Sequence, residues 1–326
     1  MSEPNEYSKN RVKDYLPLSF MIALTSGYVA LSCFGSAIGI DNLLKDVYLP
    51  IGAIAILGLS HGSLDHVVYK NRIRPVSIGD IKFGFFSIYL LLLSSVILLW
   101  LVEPVLALVA FLTISVIHFG SDDSEGANQN RLLEAFIRGM MPVVIPTFRH
   151  PDEVSRLFRQ LTGEAGGAAL SAYSVYFASL IPMILLISAI FIWFYKYDSK
   201  HSLKAGLEIM LISATFWMLP PLAAFCAYFC GIHAPRKILT IAELLAPQRL
   251  ASGVLKFHKL SIKPTLVVIG VSGLCYLILT RTIPLDEAAV RVTFIALNAL
   301  TLPHVLLPCM AKVDTGTAGI SQYQRI

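Results

Sequence analysis

Long apolar runs without charged residues constrain this chain more than any other feature. A helix needs about 20 apolar residues to cross the roughly 30 Å of hydrocarbon in a bilayer, and several runs reach that length. Hydrophobic residues make up 56% of the chain and charged residues only 14%, which is unlike a soluble domain. The sequence therefore predicts an all-α, polytopic bundle of transmembrane helices in a lipid bilayer. We expect this bilayer to be the cell (inner, cytoplasmic) membrane.

We expect about eight crossings. They lie near Leu16–Ile40, Val47–His66, Phe83–Val102, Pro104–Phe119, Ala165–Tyr195, Leu207–Ile232, Ile262–Thr280 and Ala288–Met310. Phe136–Phe148 is apolar but short and contains Arg138 and two prolines, which is typical of a re-entrant or interfacial segment. We expect one membrane-embedded domain, residues 16–311, between an N-terminal cytoplasmic tail (1–15) and a C-terminal tail (312–326).

The positions of the basic residues indicate how the chain is oriented in the membrane and do not indicate nucleic acid binding. The formal net charge is +5, but Lys and Arg lie in short connections and form no continuous patch. Eight crossings with a cytoplasmic N-terminus place most of them in inside loops, as the positive-inside rule requires; Tyr195–Lys204 is the exception. A ninth crossing at Phe136–Phe148 would move the most basic loop outside, so eight is preferred.

Four of the eight histidines lie in or at the end of apolar helices: His61, His118, His233 and His304. Ionisable side chains there are costly and usually face a bundle interior. Each lies toward the C-terminal end of its predicted crossing, and all four ends approach the cytoplasmic side. We therefore expect convergence on one site, although any single histidine could instead bond to a backbone carbonyl across helices.

Acidic residues accompany the histidines. Asp65 follows the first histidine by about one turn, and Asp122 and Asp123 follow the second. A metal-bound imidazole commonly donates its other N–H to a carboxylate, so these residues are candidate partners of the ligands. Glu208 is either a functional buried acid or an interfacial one. Imidazole suits Zn, Cu, Fe and Ni, so an iron site that uses O2 and a zinc hydrolase both fit.

The sixth crossing contains two further features. Pro220-Pro221 removes backbone donors and should kink the helix. Phe225 and Phe229 lie on the same helical face as His233. They could line a groove for a long apolar molecule, or they could be ordinary helix packing.

Four motifs resemble the Brp/Blh family of bacterial and archaeal β-carotene 15,15'-dioxygenases. They are GLSHGSLD (58–65), IHFGSDD (117–123), WMLPPLAAFCAYFCGIHAPR (217–236) and LTLPHVLL (300–307). The resemblance implies a multi-helix membrane protein that uses histidine-bound Fe(II) and O2 to split β-carotene into two retinals, often to supply a rhodopsin. By position, three family ligand histidines match His61, His118 and His233, and other motif positions match Asp65, Asp123, Glu208 and His304.

One position departs from the family pattern. The third family motif usually reads His-x-x-Arg-His, and its last histidine falls on Lys237 here. A charged lysine cannot ligate a metal. His304 or His66 could complete the site, three histidines could suffice, or the iron chemistry could be altered or lost.

The leading hypothesis is an enzyme in which the four helix histidines hold Fe(II), with His304 as the fourth ligand. It would use O2 to cleave the central double bond of a carotenoid that partitions into the bilayer. Two other classes stay open. One is a membrane protein that binds haem or metal through its histidines, and the other is a transporter or assembly factor that lost the activity at Lys237.

Overall fold

Helices make up almost all of the chain that the structure, a computed structural model, describes. The described residues are 16–30, 47–72, 78–124, 131–170, 172 and 199–313, and no strand occurs among them. The helices are α1 (Leu16–Ala30), α2 (Tyr48–Ala53), α3 (Asp65–Arg72), α4 (Ile78–Val102), α5 (Pro104–Asp123), α6 (Arg131–Arg149), α7 (Pro151–Thr162), α8 (164–170), α9 (Ser199–Met218), α10 (Pro221–Tyr228), α11 (Ala234–Leu245), α12 (Leu250–Leu279) and α13 (Leu285–Val313). The predicted all-α class is confirmed.

Within the described residues, five helical segments are long and apolar enough to cross a membrane. They are Tyr48–Tyr69, Gly84–Val102, Pro104–Asp123, Leu250–Leu279 and Leu285–Leu307, which correspond to the second, third, fourth, seventh and eighth predicted crossings. Helix α1 is apolar but shorter. Residues 31–40 of the predicted first crossing, most of the predicted fifth crossing, the predicted N-terminal tail and residues 314–326 of the predicted C-terminal tail lie outside the described residues. The helices indicate a membrane protein, and the count of about eight crossings stays a prediction.

The predicted sixth crossing is broken at its two prolines. Helix α9 ends at Met218, and α10 begins at Pro221 after an extended Pro220 with ψ of 148°. Proline lacks the N–H that would continue the hydrogen-bond ladder, so the predicted interruption is present. The chain then continues through α10 and a wide turn at Phe229–His233 into α11.

Helices α5 and α6 approach each other backbone to backbone. A Cβ atom added at Gly120 would collide with the carbonyl oxygen of Ala135, and one added at Gly139 with that of Val116. Position numbers rise along one helix as they fall along the other, so the two helices run antiparallel. Helix α6 is continuous over 19 residues and extends beyond the predicted short segment Phe136–Phe148. The glycines allow the close approach that fixes the helix carrying His118.

Gly139→Val should destabilise the protein by more than the roughly 1–3 kcal/mol typical of overpacking. The added atoms would meet the backbone of Val116, which cannot turn aside. Thermal unfolding in detergent measures the effect. Gly270→Val on α12 is the matched control, because no atom lies within 4 Å of a Cβ placed there. Equal melting temperatures for the two variants would contradict this close packing.

Candidate metal centre

The structure brings the four predicted histidines together. The ring centroid of His61 lies 5.3 Å from that of His233 and 5.3 Å from that of His304. The ring centroid of His118 lies 4.8 Å from that of His233 and 5.0 Å from that of His304. All four side chains are buried. Each ring therefore neighbours two others, and together they surround one small space.

The ring nitrogens are close enough to share an ion. One nitrogen from each of His61, His118 and His233 lies within 4.8 Å of the others, and His304 groups in the same way with His118 and Asp122. The Nε2 atoms of His118 and His233 are 3.1 Å apart. An ion about 2.0–2.1 Å from each nitrogen, as in zinc sites, gives separations of this order. The arrangement can hold one metal ion.

The Nδ1 atom of each ring faces an acceptor on the protein. The pairs are His61 with the Gly58 carbonyl oxygen (2.5 Å), His304 with Asp65 (2.6 Å), His233 with Asp123 (3.4 Å) and His118 with Asp122 (3.5 Å). The first two are hydrogen bonds that Nδ1 donates, and the other two are looser contacts with a carboxylate. A proton held at Nδ1 leaves the lone pair of Nε2 for a metal, which is the usual environment of a ligating histidine.

Two of the three aspartates contact a histidine from another part of the chain rather than the histidine that precedes them. Asp65 follows His61 in the sequence but contacts His304 on α13. Asp123 contacts His233 and accepts a hydrogen bond from the hydroxyl of Tyr228 at 2.5 Å. Only Asp122 faces the histidine one turn before it. Sequence reasoning identified the carboxylates but did not identify these partners, and it missed Tyr228, whose position carries no distinguishing pattern.

One buried ring nitrogen lacks a partner that a metal ion could supply. Within the described part of the chain, Nε2 of His304 is buried without a hydrogen-bond partner. Leaving a buried polar atom unsatisfied costs roughly 1–3 kcal/mol. A metal ion between the rings would satisfy this atom, and an all-imidazole donor set suits iron, zinc, copper or nickel. The residues present therefore fit a metal.

A wide helical turn precedes the tight 3-10 turn Leu59–Gly62 that carries His61, and a second wide turn ends at His233. Ile54–Gly58 and Phe229–His233 both have π-helical geometry. This geometry is rare in proteins as a whole, but where it occurs it is often found at functional sites. The turns touch, because a Cβ atom at Gly58 would collide with the ring of Phe229. Gly58 thus permits the contact, and its carbonyl accepts from His61. The glycine three residues before a histidine was a signal that sequence reasoning did not use.

Lys237 lies beside the site and not within the ring cluster. Its ammonium group donates to Asp122 at 2.7 Å, and both side chains are partly exposed. Asp122 in turn lies behind His118. The side of the cluster opposite His233 is formed by His304, which neighbours both His61 and His118. The departure from the family motif therefore falls on a group that contacts Asp122, the carboxylate beside His118.

Glu208 is buried among arginines. It accepts hydrogen bonds from Arg138 at 2.8 Å and Arg236 at 2.5 Å, and Arg138 also donates to Glu134 at 2.8 Å. Arg236 lies three residues after His233. Glu208 is therefore connected to the histidine cluster only indirectly: it binds Arg236, and Arg236 follows the turn that carries His233.

An apolar cavity of about 400 Å³ adjoins the rings of His61, His118 and His304. Phe225 and Phe229 lie on its wall, which fits the groove rather than the packing interpretation of these two residues. We call this space the outer cavity, because its wall includes side chains that are exposed on the surface of the bundle: Phe86 and Leu90 of α4 and Val267 of α12. It therefore opens toward the apolar exterior between α4 and α12. His66 lies on the same wall, beside Phe86, and outside the group of four rings.

These features define a class: a helical membrane protein with a buried histidine centre that could hold a metal beside an apolar cavity. A sequence model of the family described as beta-carotene 15,15'-dioxygenase matches residues 52–310. The chain belongs to this family. The predicted family and its enzyme class, carotenoid-cleaving dioxygenases, are thereby confirmed, and this class implies a metal cofactor.

Two curated relatives cover most of the chain. A beta-carotene 15,15'-dioxygenase of uncultured marine bacterium 66A03 is 29% identical over 265 residues, which cover 79% of this chain and 90% of the relative. A probable beta-carotene 15,15'-dioxygenase Blh of Halobacterium salinarum is 21% identical over 314 residues, which cover 87% of this chain and 90% of the relative. No solved structure matches the chain.

Proposed function

We propose that this protein cleaves β-carotene, or a related carotenoid, with O2 at the central double bond to give retinal. In this proposal Fe(II) is held by His61, His118, His233 and His304. The observation that carries it is the group of four buried imidazoles around one space at the edge of an apolar cavity. The family supplies the reaction type, and its use of O2 favours a redox-active metal over zinc.

The reaction is balanced without a further reductant. One carbon–carbon double bond breaks, and each of its two carbons receives one oxygen atom of O2 to become an aldehyde. Fe(II), when bound, would supply the one-electron chemistry that lets O2 react with a hydrocarbon. The remaining tasks belong to the chain's own residues.

Those tasks are orientation and exclusion of water. Asp65 and the Gly58 carbonyl hold the protons of His304 and His61 at Nδ1, so that the opposite nitrogens face the centre. Phe225 and Phe229 form an apolar wall against which a polyene can lie. Holding one double bond near the histidines turns the reaction into an effectively unimolecular step.

The bilayer would deliver the substrate. A carotenoid partitions into the hydrocarbon, and the outer cavity opens toward the bundle's exterior between α4 and α12. We propose a multi-pass protein of the cell's inner membrane with about eight crossings and with the histidines near its cytoplasmic side. Its retinal product would suit a retinal-binding rhodopsin.

Expression in cells that make β-carotene tests the proposed function. We expect loss of carotene colour and the appearance of retinal by chromatography, together with iron that copurifies with the protein in stoichiometric amount. Unchanged β-carotene despite good accumulation of the protein would overturn the proposal.

The same sample separates the other classes. A haem protein would give a Soret band, whereas a non-haem iron centre would not. The four rings pack edge to face with neighbouring centroids no more than 5.3 Å apart, which fits one ion better than a macrocycle that would have to part them. A transporter or assembly factor that lost the activity would accumulate without retinal formation.

Lys237→Met should keep iron bound and change retinal formation only about a few-fold. Its ion pair with Asp122 is partly exposed, and such pairs contribute about 0–1 kcal/mol. Metal analysis and the retinal assay measure the effect. His304→Ala is the comparison, and we expect it to lose iron. Loss of iron in Lys237→Met but not in His304→Ala would show that His304 is not a ligand and would contradict the proposed ligand set.

A further inference from the structure

The Nδ1 atoms of the clustered histidines are not held equally. Nδ1 of His61 and Nδ1 of His304 each donate a short hydrogen bond, at 2.5 Å and 2.6 Å. Nδ1 of His118 lies 3.5 Å from Asp122, which is longer than an ordinary N–H···O hydrogen bond. His118 therefore has a weaker partner than His61 and His304, although a carboxylate lies directly behind its ring.

The cause is the Oδ2 atom of Asp122, which faces two donors. It is the atom that lies 3.5 Å from Nδ1 of His118, and the same atom accepts a hydrogen bond from Nζ of Lys237 at 2.7 Å. The ammonium group is charged and a neutral imidazole is not, so Lys237 is the stronger donor. Lys237 therefore holds the oxygen that would otherwise accept from His118.

The ion pair lies beside two of the proposed ligands. Lys237 is on α11, one turn after His233, and Asp122 is on α5, one turn after His118. The Nε2 atoms of these two histidines are 3.1 Å apart. The contact between Lys237 and Asp122 thus joins the two segments that bring His118 and His233 together.

We propose that Lys237 is a positioning residue that weakens the donation of His118 to the metal by holding Asp122 away from its ring. This inference rests on the proposed function, because it needs the histidines to hold the metal. A carboxylate that accepts the Nδ1 proton of a ligating histidine makes the imidazole a stronger ligand. A less strongly donating His118 favours Fe(II) over Fe(III), and Fe(II) is the state from which the proposed reaction starts.

Lys237→Met tests this role by two measurements that do not depend on activity. The affinity of the metal-free protein for Co²⁺ is measured by competition with a chelator, and the Fe(III)/Fe(II) reduction potential of the iron-loaded protein is measured by redox titration. Lys237→Arg keeps the charge and the donor. Lys259→Met is the matched control, because it removes a lysine from an exposed position on α12.

We expect Lys237→Met to bind Co²⁺ about five-fold more tightly than the wild-type protein, the order of effect expected for a partly exposed ion pair. Its reduction potential should be lower, because the released carboxylate strengthens His118 as a ligand. Lys237→Arg and Lys259→Met should both match the wild-type protein. Unchanged affinity and potential in Lys237→Met would overturn the inference.

Asp122→Asn shows whether Lys237 acts through the carboxylate. In this background Lys237→Met should have little further effect on Co²⁺ affinity or on the reduction potential, because the contested carboxylate is gone. An equal gain in both backgrounds would mean that Lys237 acts by its charge alone, and it would overturn the inference.

Failure of the proposed function gives a different result. If the wild-type protein bound neither Co²⁺ nor iron, the proposed metal centre itself would be wrong. If it bound iron but did not cleave β-carotene, the proposed reaction would be wrong. Only the comparison of Lys237→Met with the wild-type protein and with the Asp122→Asn background decides the role of Lys237.

Discussion

His118→Ala should yield a folded protein that retains little iron and forms almost no retinal. His118 belongs to both groups of side chains that could hold an ion, and its ring neighbours those of His233 and His304. Loss of a residue that merely orients a metal ligand costs roughly 10–100-fold in affinity or activity. We expect loss of a ligand itself to exceed that range.

Metal analysis of the purified variant and the retinal assay measure this effect. His258→Ala is the matched control, because His258 is an exposed histidine on α12 outside the cluster. Comparable helical circular dichroism for the two variants would establish that both fold. Full iron content in His118→Ala would contradict the proposed ligand set, even if activity were lost.

Much of the fold follows from the sequence, because apolar runs of sufficient length have few alternatives in a bilayer. The two prolines at 220 and 221 predicted the break in the sixth crossing, since proline cannot continue the ladder. The extent of α6 was less predictable. Its apolar part is short, and its contact with α5 depends on Gly139 meeting the backbone of Val116, a tertiary fit that local patterns do not encode.

The sequence predicted which residues form the site but not which of them contact each other. Histidines in apolar helices must face the interior, which predicts that they gather. Asp65 was expected near the histidine that precedes it, yet its partner lies 239 positions away. The π-helical turns before His61 and at His233 were also not predictable, because their residues are apolar almost throughout and no periodicity marks the inserted residue.

Glu208 lies at the centre of a buried group of ion pairs, which its sequence context does not indicate. Its carboxylate accepts from Arg138 on α6 and from Arg236 on α11, and its side chain is 1% exposed. Arg138 is 2% exposed and also pairs with Glu134. Glu208 therefore links three helices through charges that have almost no access to water. Such a group stabilises only while it is complete, because a buried charge without its partner is costly.

Glu208→Ala should lower the stability of the protein by about 3–5 kcal/mol, the usual cost of removing one partner from a buried ion pair. The guanidinium groups of Arg138 and Arg236 would both lose a carboxylate oxygen within 2.8 Å. Thermal unfolding in detergent measures the change, with Glu103→Ala as the control, since Glu103 is exposed between α4 and α5. Because Arg236 lies one turn from His233, iron should also dissociate from Glu208→Ala at a lower temperature than from the control. A melting temperature equal to that of Glu103→Ala would mean that the buried charges do not hold these helices together.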